Sequence, residues 1–214
     1  MQKKRILKDM GYRKLLIIVL LATVSLIKGI SIDDTYIRVK SAYDNIENFQ
    51  ADLVQKNVFK AEKMEIESKA KFFYQPSRIK ISYSEPQEQV ILMNGLEVKF
   101  YDIESNTCVV MSDNDNSLQL NPIYVIDKYW KYSDKKIKEE RKAIILQLRP
   151  LQEDDFKNIV ITIDSNSYFI NKISYEDATG NRVDINFTNI DIESTIPVDT
   201  WKLNLPKDVN YIKR

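Results

Sequence analysis

Hydrophobic and polar positions alternate most cleanly between Ala70 and Asp102, AKFFYQPSRIKISYSEPQEQVILMNGLEVKFYD. Ile79, Ile81 and Tyr83 alternate with Arg78, Lys80 and Ser82, the period-2 signature of a strand with one dry and one wet face. Pro76 and Pro86 each stop a strand, because proline has no N–H to give to a sheet. Asn94-Gly95 is expected to supply the two positive-φ positions of a tight hairpin turn. The segment thus predicts four strands in meander order, with an apolar face that must be covered or must bind something.

The same reading extended along the chain predicts strands at Ala51 to Phe59, Ile66 to Gln75, Arg78 to Ser84, Gln89 to Met93, Glu97 to Ile103 and Thr107 to Ser112. A second set follows at Ala143 to Arg149, Ile159 to Asp164, Phe169 to Glu176, Arg182 to Ile190 and Trp201 to Leu205. Two stretches have helical spacing instead. Tyr36, Val39, Tyr43 and Ile46 recur at three and four residues behind Asp33 and Asp34, which are suited to capping. Ile123, Ile126, Tyr129 and Trp130 share a face behind Pro122, a residue suited to a first helical turn. This second helix is either a lid or a connector packed on the core. Some eleven strands with one apolar face each, and few helices to cover them, predict a mainly β fold: a strongly curved, incomplete antiparallel β-barrel with a short helical lid and an N-terminal helix.

Length and charge place this barrel in the cell. A chain of 214 residues suits one domain. A basic start (Lys3, Lys4, Arg5, Lys8, Arg13, Lys14), the apolar run Leu15 to Ile27 and small residues at Gly29 and Ser31 read as a secretory signal. The run is short for a membrane span, which needs about 20 apolar residues. An uncleaved anchor is the alternative. Residues 1–31 are therefore assigned to a signal peptide and residues 32–214 to a single domain. Removing the signal takes seven basic residues from 32 and one acidic residue from 31, leaving 25 and 30 and a formal net charge of −5. A nucleic-acid binder would show a basic excess, so no nucleic-acid partner is expected.

Candidate chemistry is sparse. With no histidine in the chain, Ser-His-Asp and Cys-His catalysis and imidazole metal sites are excluded. Cys108, the one cysteine, lies in an apolar strand pattern and reads as a small buried residue. Asp113, Asp115 and Ser117 resemble the start of a calcium loop but lack its glycine and terminal glutamate, so they read as a solvated turn. No cofactor, metal or catalytic residue is expected, and an extensive apolar concavity without catalytic groups favours binding an apolar ligand over transforming it.

These residues fall in a familiar order. Phe49, Ala51, Leu53 and Gln55 at alternate positions are followed by Gln75-Pro76-Ser77-Arg78-Ile79-Lys80-Ile81-Ser82-Tyr83 and by Asn94-Gly95 with Val98 to Asp102. Leu148-Arg149-Pro150, Asp177 with Gly180-Asn181, Ile185 with Phe187 and Asn189, and Trp201, Leu203, Leu205-Pro206, Asp208-Val209 complete the order. Together they resemble the periplasmic outer-membrane lipoprotein carrier family, LolA. The resemblance implies a monomer in the periplasm of a Gram-negative bacterium, holding the acyl chains of lipoproteins in a barrel cavity. Its implied partners are acylated lipoproteins, an inner-membrane ABC-type lipoprotein-releasing transporter, and an outer-membrane acceptor protein or the outer membrane itself. A sensor or regulatory module of the cell envelope on the same fold is the second reading.

The expected cavity lining is Phe73, Ile79, Ile81, Tyr83, Val98, Phe100, Leu148, Ile161, Ile185, Phe187 and Leu203, with Gln75, Ile123, Ile126 and Trp130 at the lid contact. Two positions depart from the family. Gln75 stands where arginine is usual and brings no charge for a latch, and Ile81 stands where tryptophan is frequent.

Overall fold

The computed structural model describes residues 31–112 and 122–213. Residues 1–30 of the expected 1–31 signal peptide, the Asp113 to Ser117 turn and the side chain of Ile123 lie outside them.

Helix α1 (Ile32–Asp44) opens the described chain, with Asp33 and Asp34 inside its first turn, where carboxylates favour the helix dipole. It buries Thr35, Val39 and Tyr43 at intervals of four, and Ile46 is buried just beyond its end. Six strands follow: β1 (Phe49–Phe59), β2 (Met64–Gln75), β3 (Arg78–Glu85), β4 (Gln89–Asn94), β5 (Glu97–Asp102) and β6 (Thr107–Ser112). Helix α2 (Pro122–Trp130) comes next, then β7 (Ser133–Glu140), β8 (Ala143–Pro150), β9 (Phe156–Asp164), β10 (Ile170–Asp177) and β11 (Arg182–Asp191). A 3-10 turn (Val198–Trp201) and β12 (Asn210–Lys213) end the chain.

All twelve strands form one unclosed sheet in the order β12-β6-β5-β4-β3-β2-β1-β11-β10-β9-β8-β7. Every pairing is antiparallel except β12 on β6. Two meanders are thus joined by β1 against β11, and the chain between β6 and β7 must cross from one end of the sheet to the other. Helix α2 lies in that crossing.

Turn chemistry fixes the register. Pro76-Ser77 joins β2 to β3 with Ser77 at φ 68, the positive third position of a type II turn behind proline. The next hairpin corrects the expected turn. Its loop is Gly95-Leu96, since Asn94 still pairs with Glu97, and only Gly95 has positive φ, at 62. Glycine at the first central position is the type II′ pattern, which matches strand twist as well as the anticipated turn would. Gly180, at φ 88, occupies its left-handed position as the sequence implies.

The core lies on the inner face, where α1 packs. Phe49, Phe72 and Phe187 meet edge to face at centroid separations of 5.3–6.4 Å, and Tyr43 of α1 stacks on Phe49 at 5.9 Å. Burying each such ring contributes about 1.5–3 kcal/mol. Tyr43 also settles a backbone problem. The β9–β10 register slips between Ile170 and Lys172, and the Ile170 N–H donates to the Tyr43 hydroxyl oxygen at 3.1 Å.

One expected strand is absent and two unexpected strands are present. Trp201 to Leu205 is not a strand: the chain there lies on the outer face, where Lys80 Nζ donates to the carbonyls of Thr200 at 2.7 Å and Lys202 at 3.2 Å. Those carbonyls are satisfied by an amine instead of a neighbouring strand. β7 and β12 are additional. Both lie at the ends of the sheet and are largely polar or exposed, so neither carries the alternation that betrays an inner strand.

Candidate functional site

The inner face reads as parallel rows of side chains across the strands. One row, running from β1 to β6, is Phe49, Tyr74, Ile79, Met93, Val98 and Met111. The next is Ala51, Phe72, Ile81, Ile91, Phe100 and Val109, again wholly apolar. Beyond it polarity rises: Phe187, Leu53, Ala70, Tyr83, Gln89, Asp102 and Thr107 form a mixed row from β11 to β6. Farther out Ile185, Gln55 and Ser68 align, then Val183, Asn57 and Ile66.

A cavity of about 690 Å³ opens where the apolar rows give way to the polar ones. Ile66, Ile91 and Phe100 line it on the apolar side; Gln55, Asn57, Ser68, Tyr83, Glu85, Gln87 and Gln89 line it on the polar side, with Pro86 beside them. Its size is within the roughly 300–1,000 Å³ typical of small-molecule sites. Tyr83 hydroxyl donates to Gln55 Oε1 at 2.9 Å, and Gln55 Nε2 donates to Asn57 Oδ1 at 3.1 Å. Burial pushes the Tyr83 phenol up to about 12, so it stays protonated and a donor.

The other half of the inner face is filled. Leu146, Leu148, Ile159, Ile161 and Ile163 of β8 and β9 are essentially inaccessible, as are Val39 of α1 and Val125 and Ile126 of α2. Helix α2 packs on β7, β8 and α1. The two helices are clasped: Tyr36 hydroxyl donates to Asp127 Oδ1 at 2.9 Å, Lys40 Nζ donates to Asp127 Oδ2 at 3.0 Å, and Tyr36 stacks on Trp130 at 4.3 Å. Hydrogen bonding to Asp127 raises the Lys40 pKa above its ordinary value. On its other side α2 is tied down by Tyr129, whose hydroxyl donates to Asp154 at 2.7 Å.

The expected lining residues divide accordingly. Tyr83 and Phe100 line the cavity, and Ile185 stands on the same wall opposite Gln55. Ile79, Ile81, Val98 and Phe187 face inward but are packed. Leu148 and Ile161 face inward and are fully buried, Leu148 on the strand that α2 packs against. Phe73 does not face inward: it shares the outer face with Lys69 and Lys71, and Phe72 takes the inner place. Leu203 also lies outside, half-buried in the segment that Lys80 holds.

At the lid contact, Ile126 is buried and Trp130 meets α1. Gln75 does not reach α2. Its Nε2 donates to Asn48 Oδ1 at 2.8 Å, in the connection from α1 to β1, because its register puts it on the outer side with Phe73. The α1–α2 clasp is made by Asp127 instead. The lining residues Gln55, Asn57, Ile66, Ser68, Gln89 and Ile91 are ones that alternation alone does not single out. Cross-strand register is the available signal, since a two-residue turn at Gly95-Leu96 places Ile91 opposite Phe100.

Solved structures share this fold. A conserved protein from Thermus thermophilus superposes with a TM-score of 0.59 at 15% identity, over 85% of this chain and 98% of that one. MucB in the Pseudomonas aeruginosa MucA/MucB complex superposes with a TM-score of 0.54 at 13% identity, over 80% of this chain and 61% of that one. The chain has no match among curated proteins. Residues 44–204 match the outer membrane lipoprotein carrier protein family LolA, and this chain belongs to that family.

Proposed function

We propose that the protein is a periplasmic carrier that shields lipoprotein acyl chains in the inner cavity and hands lipoproteins from the inner to the outer membrane. The observation that supports this most is the uncovered half of the inner face, where Ile66, Ile91 and Phe100 line an open cavity beside apolar rows that run on under the helices. An acyl chain released into water would expose its CH₂ groups at about 0.8 kcal/mol each. Handover must then be direct, from an ABC-type releasing transporter to an acceptor protein or to the outer membrane itself. The lining has no histidine and the role is to bind, not to transform.

Native mass spectrometry with lipid extraction, on protein recovered from the periplasm, tests this reading. Acylated lipoprotein bound to the protein is the expected result. Repeated recovery of empty protein that also fails to solubilise an added lipoprotein would overturn it.

A second reading, a sensor module of the cell envelope, draws on the fold shared with MucB, which has been solved bound to MucA. This chain spans 61% of that MucB chain. A stable complex with a membrane-anchored regulator, in place of lipid, would favour it.

A further inference from the structure

The outer side of β4, β5 and β6 carries a dry row of its own. Val90, Tyr101 and Cys108 stand opposite one another across these strands and point away from the cavity, because Ile91, Phe100 and Val109 take the inner places. Tyr101 is 6% exposed and Cys108 0%, so this outward row is covered. Its cover is the chain between β11 and β12. Lys80 holds the Thr200 and Lys202 carbonyls over β3 at 2.7 and 3.2 Å, Asn106 Nδ2 donates to the Asp208 carbonyl at 3.3 Å beside the β5–β6 turn, and β12 lies beyond β6. The chain joining those anchors must pass over β4, β5 and β6, and Leu203 and Leu205 are half-buried on the way. Residues 192–209 form no strand, so no ladder holds them to the sheet. Trp201 Nε1 is buried among them without a hydrogen-bond partner, a cost that opening would relieve.

We propose that this segment is a strap latched by Lys80 and coupled to the cavity through β4, β5 and β6: a bound acyl chain holds the strap shut, and lifting the strap loosens the cavity's hold on the chain. The proposal rests on the carrier reading and adds a means of regulation to it. The three strands are six residues each, and successive side chains face opposite sides, so Ile91 meets the cavity while Val90 and Leu92 face outward. A close-packed single layer cannot shift on one face alone. The wall that Ile91 and Phe100 present to a ligand is therefore shaped from behind by the strap, and a ligand that fits the backed wall better than the unbacked one favours the closed strap. By linkage the two effects are equal in size.

Cys108, the one cysteine, reports the opening, and the test follows its reaction with a disulfide dye in the folded protein. The rate should depend weakly on urea, as local opening does. Lys80→Met should raise it about tenfold, while Lys80→Arg stays close to the unaltered protein. Asn106→Gly, which suits the φ of 46 and removes the other side-chain anchor, should raise it too and guards against a misfolded first variant. A saturating fluorescent dipalmitoyl lipopeptide should slow the reaction about fivefold, although it lies across the sheet from the thiol and cannot shield it. The N-ethylmaleimide adduct of Cys108, too bulky for the closed strap, should bind that lipopeptide more weakly by the same factor. A rate as steep in urea as global unfolding, or variants that leave it unchanged, would overturn the strap. A rate unaltered by bound lipopeptide, or an adduct that binds as tightly as the free thiol, would overturn the coupling and leave the carrier reading standing. Failure of the unmodified protein to bind the lipopeptide would overturn both.

Discussion

The two halves of the inner face are built from the same alternating pattern and meet opposite fates. On β8 and β9, Leu148, Ile159 and Ile161 are fully buried, and α2 packs on β8. On β4 and β5, Ile91 and Phe100 look into open space. Alternation in a strand specifies a dry face but not what dries it. The difference is made by the crossing from β6 to β7, which places α2 over one half alone, and by the Asp127 clasp that holds it to α1.

This contrast is broken most forcefully by truncation. Phe72→Ala removes the ring at the centre of the aromatic cluster and is expected to cost about 3–5 kcal/mol, and Leu148→Ala about 2–5 kcal/mol, in urea unfolding. Ile91→Ala should cost about 1 kcal/mol, because its side chain is already half open to the cavity, yet it should weaken acyl binding. Phe73→Ala, on the outer face, should resemble Ile91→Ala in stability without affecting binding.

Loosening the clasp sharpens the comparison. Asp127→Asn keeps an acceptor for one of its two donors but loses the charge. Because Lys40 and Asp127 are each about one-third exposed, the loss should be about 1 kcal/mol or less. Hydrogen exchange of the α2 amides should accelerate several-fold while that of β1 and β2 stays unchanged.

The smallest effect concerns acid. Asp164 accepts hydrogen bonds from the backbone of Ser167 and Asn166 and from the Ser167 hydroxyl, which hold its carboxyl below the usual carboxylate value. A depressed folded pKa means that its stabilisation is full above the ordinary carboxylate value and is lost as pH falls through the lowered one. Asp164→Asn should flatten the stability profile modestly between about pH 5 and pH 2, measured by urea unfolding across that range.

Much of the fold was legible where one face is dry. Ile79, Ile81 and Tyr83 set β3, Val183, Ile185 and Phe187 set β11, and Val39 with Tyr43 set α1. β7 was not legible: Asp134, Lys135, Lys136, Lys138, Glu139 and Glu140 read as a solvated run, since an edge strand is held by its backbone and needs little apolar surface. Trp201, Leu203 and Leu205 alternate like a strand, but alternation cannot tell a strand from a segment pressed on a sheet by one lysine. The consecutive Phe72 and Phe73 fit either face, and only the pairing of Phe72 with Ala51 decides between them. The polar end of the cavity was hidden for a related reason. Gln55, Asn57, Ser68 and Gln89 come from three strands, and their convergence exists only once pairing is known.

The most direct measurement is photolabelling of the protein with a lipopeptide whose acyl chain carries a diazirine, followed by peptide mapping. Labelling concentrated on the peptides that contain Ile66, Ile91 and Phe100, and sparse on those that contain Leu148 and Ile161, is the predicted result. Labelling of β8 and β9 in preference to β4 and β5, or of the outer face around Phe73 and Leu203, would contradict it.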